Sequence, residues 1–151
     1  LKQLALAEEA RLPVILHCRV AHDDMIGILD TRYKIRDTKL RGVVHCFTGT
    51  AEQAQKFMEL GLYVGFNGLI LKDVPALPKP EEVISSIPLE RIVLETDSPY
   101  LVPPSAGEER NEPLFVKYVA KEIARIKKVS VQEVGEATTQ NAKLLFALPV
   151  E

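Results

Sequence analysis

The sequence predicts an α/β fold organised around a parallel sheet. Four short apolar runs, at 13–17, 42–45, 62–66 and 91–95, are near-continuous rather than alternating, which is the pattern of strands covered on both faces. Stretches with helical spacing lie between them, and a repeated strand, helix, strand order implies right-handed crossovers and parallel pairing. The runs also finish alike, two of them in histidine.

Each element has its own signal. Residues 1–11 carry apolar side chains at Leu1, Leu4, Ala5, Ala7 and Ala10 with no capping residue in front, so they read as the end of a helix. The first residue is Leu1 rather than Met, and the expectation is a chain cut from something longer. Met25, Ile26, Ile28 and Leu29 predict a helix over 23–33. Ala54, Phe57, Met58 and Leu60 predict another over 51–60, ended by Gly61. Pro113 at a first turn and Lys127 and Lys128 at the negative end of the dipole bound a helix over 113–128. Ser130 and Glu133 have capping-box spacing and open a short helix, and Thr138 or Thr139 is placed to cap a last one through Leu148. The one clear loop is 103–111, which follows a strand and is not a linker, so 1–151 reads as one structural unit.

Composition narrows the function classes. With 19 Lys plus Arg against 21 Asp plus Glu, the net charge of −2 excludes coating of nucleic acid or an anionic membrane by bulk electrostatics, while leaving room for a local cationic groove. No apolar run approaches the roughly 18 residues of a membrane span and no secretory signal opens the chain, so a cytoplasmic setting without membrane contact is expected. Two cysteines, Cys18 and Cys46, are too few for a disulfide framework.

In parallel α/β folds the loops leaving the C-terminal strand ends build the site, so the residues closing each run carry the information. They are His17, His45, Asn67 and Asp97. A lone strand-end histidine is commonly a hydrogen-bonded loop residue. Two at equivalent positions, with Asp97 at a third, point instead to a divalent metal and metal-assisted hydrolysis, because imidazole and carboxylate are the ligands such ions use. Side chains two apart on a strand share a face, so Arg19 leans with His17 and can hold a phosphate, and Glu95 leans with Asp97 and can orient a ligand. Cys18 and Cys46 directly follow the histidines and point to the opposite face, so both are expected to be small packing residues. His22 stands just before a helix, where an entry or surface role is expected, and Gly49 and Gly68 are expected to permit tight turns near the mouth.

The stretches His17-Cys18-Arg19, His45-Cys46-Phe47-Thr48-Gly49 and Glu95-Thr96-Asp97-Ser98-Pro99-Tyr100-Leu101 resemble the three C-terminal signatures of TatD-type metal-dependent deoxyribonucleases. Arg110-Asn111-Glu112-Pro113 and Thr138-Thr139-Gln140-Asn141-Ala142 resemble that family's closing segments, and the similarity runs from Leu1 to Phe146. The resemblance implies a TIM-like (β/α)8 barrel of the metal-dependent hydrolase type with one or two divalent ions (Mg²⁺, Mn²⁺ or Zn²⁺) at its C-terminal mouth, and hydrolysis of phosphodiester bonds in DNA, at a strand end or within the strand. It makes His17 and His45 metal ligands and Asp97 a ligand or the base that positions water, and it sets Arg19, Ser98 and Tyr100 beside the substrate phosphate. The family's opening Asp-x-His-x-His strand and its Gly-Glu-x-Gly-Leu-Asp stretch are both missing from this sequence, and Val20 stands where the family commonly has Asp. The chain is therefore expected to be the C-terminal part of a single longer barrel.

Two rival readings accompany this one. Related barrels host many chemistries, so the substrate can be another ester or an amide. Alternatively, a barrel without its upstream ligands is inactive and exposes apolar strand edges that promote self-association.

Overall fold

The computed structural model describes residues 1–33 and 39–149. In chain order the elements are α1 (Lys2–Ala10), β1 (Val14–His17), α2 (His22–Tyr33), β2 (Gly42–His45), α3 (Ala51–Glu59), β3 (Tyr63–Phe66), α4 (Pro80–Ser86), β4 (Ile92–Leu94), α5 (Val116–Lys127) and α6 (Val131–Phe146). The four strands pair in parallel in the order β1-β2-β3-β4. An order that advances without reversal is the winding of a barrel rather than of a doubly wound sheet, so the chain forms a partial TIM-like barrel. The β1–β2 register sets His17 directly opposite His45.

Strand alternation divides the side chains into two layers. Val44, Val64 and Ile92 face outward and are fully buried against Leu29, Phe57, Ile84 and Ile123 of the helices. Each such side chain contributes roughly 1.5–3 kcal/mol by leaving water, so this layer is the main source of stability. The inward layer is thinner: Val43 and Val93 pack with Tyr63 and with Leu145 of α6, which closes the lower end of the sheet. Asn141, buried on the same helix, donates from Nδ2 to the carbonyls of Leu89 (2.9 Å) and Ile92 (2.7 Å) and locks α6 to the start of β4. At the β1 edge the inward face is uncovered, and Ile15 is 62% exposed.

The four predicted strands are all present, and the helix over 51–60 ends as expected, with Gly61 at φ 100°. Three helical expectations change. Pro113 opens a 3-10 turn, Pro113–Phe115, ahead of α5. The two helices expected after Ser130 are one sixteen-residue helix. Ser130 Oγ accepts from the Glu133 amide at 3.0 Å and caps it, whereas the Thr138 hydroxyl sits in mid-helix and donates to the Val134 carbonyl at 2.8 Å. Finally, α4 is an addition to the expected elements. Its seven residues are too few to show a period, although Pro80 in the first turn and Glu81 and Glu82 beside it are a helix-start signal. Among the described residues no helix is long and apolar enough to cross a membrane.

Candidate metal centre

The inward face of the sheet carries His17, His45, Gly65 and Val93 in one row, with Glu95 just beyond β4. Glu95 stands at the end of β4, and His45 lies on β2, two strands away. The intervening strand presents Gly65, where a Cβ would lie 3.0–3.2 Å from the Glu95 carboxylate. The missing side chain lets Glu95 lie across β3. There its Oε2 accepts from His45 Nδ1 at 2.7 Å and its Oε1 accepts from the Cys46 amide.

This arrangement fixes the histidine. The Nδ1 contact with Glu95 turns the opposite ring nitrogen, Nε2, toward Asp97 Oδ1 at 3.2 Å, so Nε2 is the His45 atom left to face a metal. Burial pushes the Glu95 carboxyl up from its ordinary range and the Asp97 charge adds to the rise, while the His45 contact and the Cys46 N–H hold it down. One ligand atom each from His45, Glu95 and Asp97 can be chosen so that all lie within 4.8 Å of one another. The His45 imidazole nitrogen and the Asp97 carboxylate oxygen that face each other are donors suited to a borderline or hard divalent ion and fit the metal that the sequence implied, while the Glu95 oxygens are engaged by His45 Nδ1 and the Cys46 amide. The His17 ring lies beside the cluster, its centroid 5.9 Å from that of His45.

The backbone at this mouth is unusual. Among the described residues seven non-glycine residues have positive φ, and Arg11, Lys128 and Ala147 among them are helix C-caps. The other four, Val20, Cys46, Asp97 and Leu101, all follow strand ends that carry the candidate ligands. Such residues cost about 1–3 kcal/mol each and persist where the surroundings hold them. For Asp97 the surroundings are visible. Asn111, 3% exposed, donates from Nδ2 to the carbonyls of Thr96 and Tyr100, and its amide bonds the Pro99 carbonyl at 3.1 Å. Asn111 thus ties down both sides of Asp97, a contribution that spacing along the chain does not reveal.

The remaining sequence candidates fall at the rim. Arg19 and Ser98 are exposed, Ser98 Oγ lies 3.0 Å from Thr96 Oγ1, and Tyr100 is 75% exposed on the turn that Asn111 holds. Asn67 is buried and structural, its Oδ1 capping a 3-10 turn by accepting from the Leu69 amide at 3.0 Å. Cys18 is buried, as expected of a packing residue, and Cys46 is half-buried with its thiol pushed up by burial. His22 does begin a helix, but it is buried against Phe47 and Phe57 rather than placed at the surface. Gly49 lies at a bend and Gly68 opens a 3-10 turn, and both also leave space: a Cβ would meet the Gln53 carboxamide at the first and the Leu101 carbonyl at the second.

A partial parallel barrel with converging His and carboxylate groups at its C-terminal strand ends belongs to the class of TIM-like barrels that carry a metal centre at the mouth. The model of the TatD related DNase family matches residues 1–147, and the chain belongs to that family. It is 41% identical over 146 residues to the uncharacterized metal-dependent hydrolase YabD of Bacillus subtilis, covering 97% of this chain and 55% of that protein. To the protein of Citrobacter rodentium named 3'-5' ssDNA/RNA exonuclease TatD it is 36% identical, covering 99% of this chain and 57% of the relative. The crystal structure of YjjV, a TatD homologue from Escherichia coli K12, superposes with a TM-score of 0.83 at 34% identity, covering 98% of this chain and 55% of that one. The chain spans about half the length of the curated relatives it matches.

Proposed function

We propose that this chain supplies the C-terminal half of the metal centre of a divalent-metal-dependent phosphodiesterase that hydrolyses DNA, cleaving from a strand end. The observation that carries this reading is the convergence of His45, Glu95 and Asp97 at the mouth of a TatD-family sheet. The names of relatives, metal-dependent hydrolase and 3'-5' ssDNA/RNA exonuclease, support both the chemistry and a nucleic-acid substrate.

His17, His45 and Asp97 would hold the divalent metal, Mg²⁺, Mn²⁺ or Zn²⁺, as one or two ions in the complete site. Bound there, the metal would supply a lowered pKa for water and neutralisation of charge developing on the scissile phosphate. Glu95 acts through His45, holding its Nε2 toward the centre. Asp97 Oδ1, held by the Asn111-braced turn, accepts or steers the proton of the attacking water. Arg19 on one side of the mouth, with Ser98 and Tyr100 on the other, grips the substrate phosphate. Few phosphates are contacted, so a negatively charged protein tolerates the substrate and its binding weakens only gently with salt.

The test is hydrolysis of an end-labelled single-stranded DNA oligonucleotide with each metal in turn, beside a matched RNA and a carboxylic ester. The expected result is metal-dependent loss of single nucleotides from the DNA that a chelator abolishes. Ester turnover with intact DNA would replace this reading with that of another hydrolase on the same barrel.

A further inference from the structure

A cleft of about 320 Å³ opens on the β4 side of the mouth, between the turn that follows Asp97 and the segment leading into α5. It is lined by Ser98, Pro99, Arg110, Asn111, Glu112 and Pro113. Its volume lies at the lower end of the range for ligand sites, about 300–1,000 Å³. Two prolines stand in its walls, and their fixed φ stiffens the backbone there.

The cleft and the metal centre share one piece of backbone. Ser98, which lines the cleft, directly follows Asp97. Asn111, which also lines it, donates from Nδ2 to the carbonyls of Thr96 and Tyr100, and its amide bonds the Pro99 carbonyl. The turn that bears Asp97 is therefore also the wall of the cleft. One Cα step, about 3.8 Å, separates the candidate ligand from that wall. Charges on a nucleic-acid strand follow one another at a similar interval, about 3.4 Å of axis in B-form. A strand whose scissile phosphate lies at Asp97 thus brings its neighbouring phosphate to the cleft.

Arg110 is the group that meets it there. Among the described residues its side chain makes no ion pair and no hydrogen bond, although Glu108, Glu109 and Glu112 all lie within two positions of it along the chain. The planar fork of N–H donors is thus left for an outside anion, and that fork matches a phosphate bidentately. Glu112 is the one carboxylate of the lining, and it limits the charge that the cleft accepts. A singly charged internal diester suits such a cleft better than a terminal monoester, which carries about −1.5 to −2.

We propose that Arg110 binds the phosphodiester next to the scissile one on the same strand. This rests on the phosphodiesterase reading above and extends the site by one nucleotide: Arg19, Ser98 and Tyr100 grip the reacting phosphate, and Arg110 sets the register of the strand behind it.

The experiment is a cycle of two changes, one in the protein and one in the strand, read by fluorescence anisotropy in the presence of a chelator so that nothing is cut. The protein carries Arg110 or Arg110→Gln. The labelled single strand carries natural linkages or one uncharged methylphosphonate at the linkage next to the terminal one. Arg110→Gln should bind the natural strand roughly tenfold more weakly at low salt. Its slope of log K against log salt should be smaller by about 0.7, the share of one phosphate on a single strand. The methylphosphonate should weaken binding to the original protein by the same factor and weaken binding to the variant no further. Additive losses, an unchanged slope, or no detectable binding by the original protein overturns the proposal. Bis(p-nitrophenyl) phosphate, which has a single phosphate, should be turned over alike by both proteins, and a matching loss there would make Arg110 structural and likewise overturn it. Should Arg110→Gln lose its native circular dichroism, the methylphosphonate strand decides on the original protein alone, where unweakened binding refutes the contact. If no metal supports hydrolysis of DNA, the phosphodiesterase reading falls while a coupled loss in the cycle still upholds the contact.

Discussion

At the scale of single residues, the reach of Glu95 over Gly65 makes a sharp prediction. Glu95→Gln keeps the shape but loses the charge that orients His45, and metal affinity should fall about 10–100-fold with folding intact. Titration with a metal-sensitive dye checks it, and undiminished affinity would make Glu95 a bystander. For Asp97→Asn, turnover should fall by roughly 10²–10⁴ with little change in melting temperature, as befits a group that handles a proton. Asn111→Ala makes the opposite kind of change. It removes two partly buried hydrogen bonds, each worth about 0.5–1.5 kcal/mol, and should cost about 1–3 kcal/mol in urea unfolding, besides loosening the turn that carries Asp97. These residues also show how far the sequence could be read. His45 and Asp97 stood out because like residues ended like strands. Gly65 gave only the weak hint of a glycine inside a strand, a position that often marks close approach. Asn111 gave none bottom-up, because its partners Thr96 and Tyr100 are brought to it by a loop whose path no local pattern encodes.

At the scale of elements, the entry of α2 couples stability to pH. Burial among Phe47 and Phe57 pushes the His22 imidazole down from its ordinary value, against the pull of the Asp23 charge. The fold accepts the neutral ring, so its full contribution is present above the unfolded pKa of about 6.5 and is lost as pH falls through that value and through the lower folded one. The loss of melting temperature between pH 7.5 and 5.5 should therefore be smaller in His22→Leu than in the natural chain, and an equal loss would show that His22 does not titrate on unfolding. The strands were legible because a parallel sheet covered on both faces leaves near-continuous apolar runs, and α3 because its period and terminal glycine agree. The junction inside 130–148 was misread for a physical reason. Thr138 has the chemistry of a cap, but its hydroxyl can also be satisfied by the carbonyl one turn back, and burial against the sheet decided in favour of a continuous helix.

At the scale of the whole molecule, the sheet has two ends with different duties and, among the described residues, two edge strands, β1 and β4. Ile15 on β1 is exposed at a strand that lacks an outer neighbour among the described residues. The chain of 151 residues on its own should self-associate through this edge, and Ile15→Lys should shift it toward monomer in sedimentation. No such shift would place the contact elsewhere. Below, Leu145 and Asn141 pin α6 to the base of the sheet without touching any candidate ligand, while every candidate ligand sits on the opposite rim. For a protein engineer this separation lets the rim loops be altered while the α6 plug goes on holding the scaffold to which they are attached.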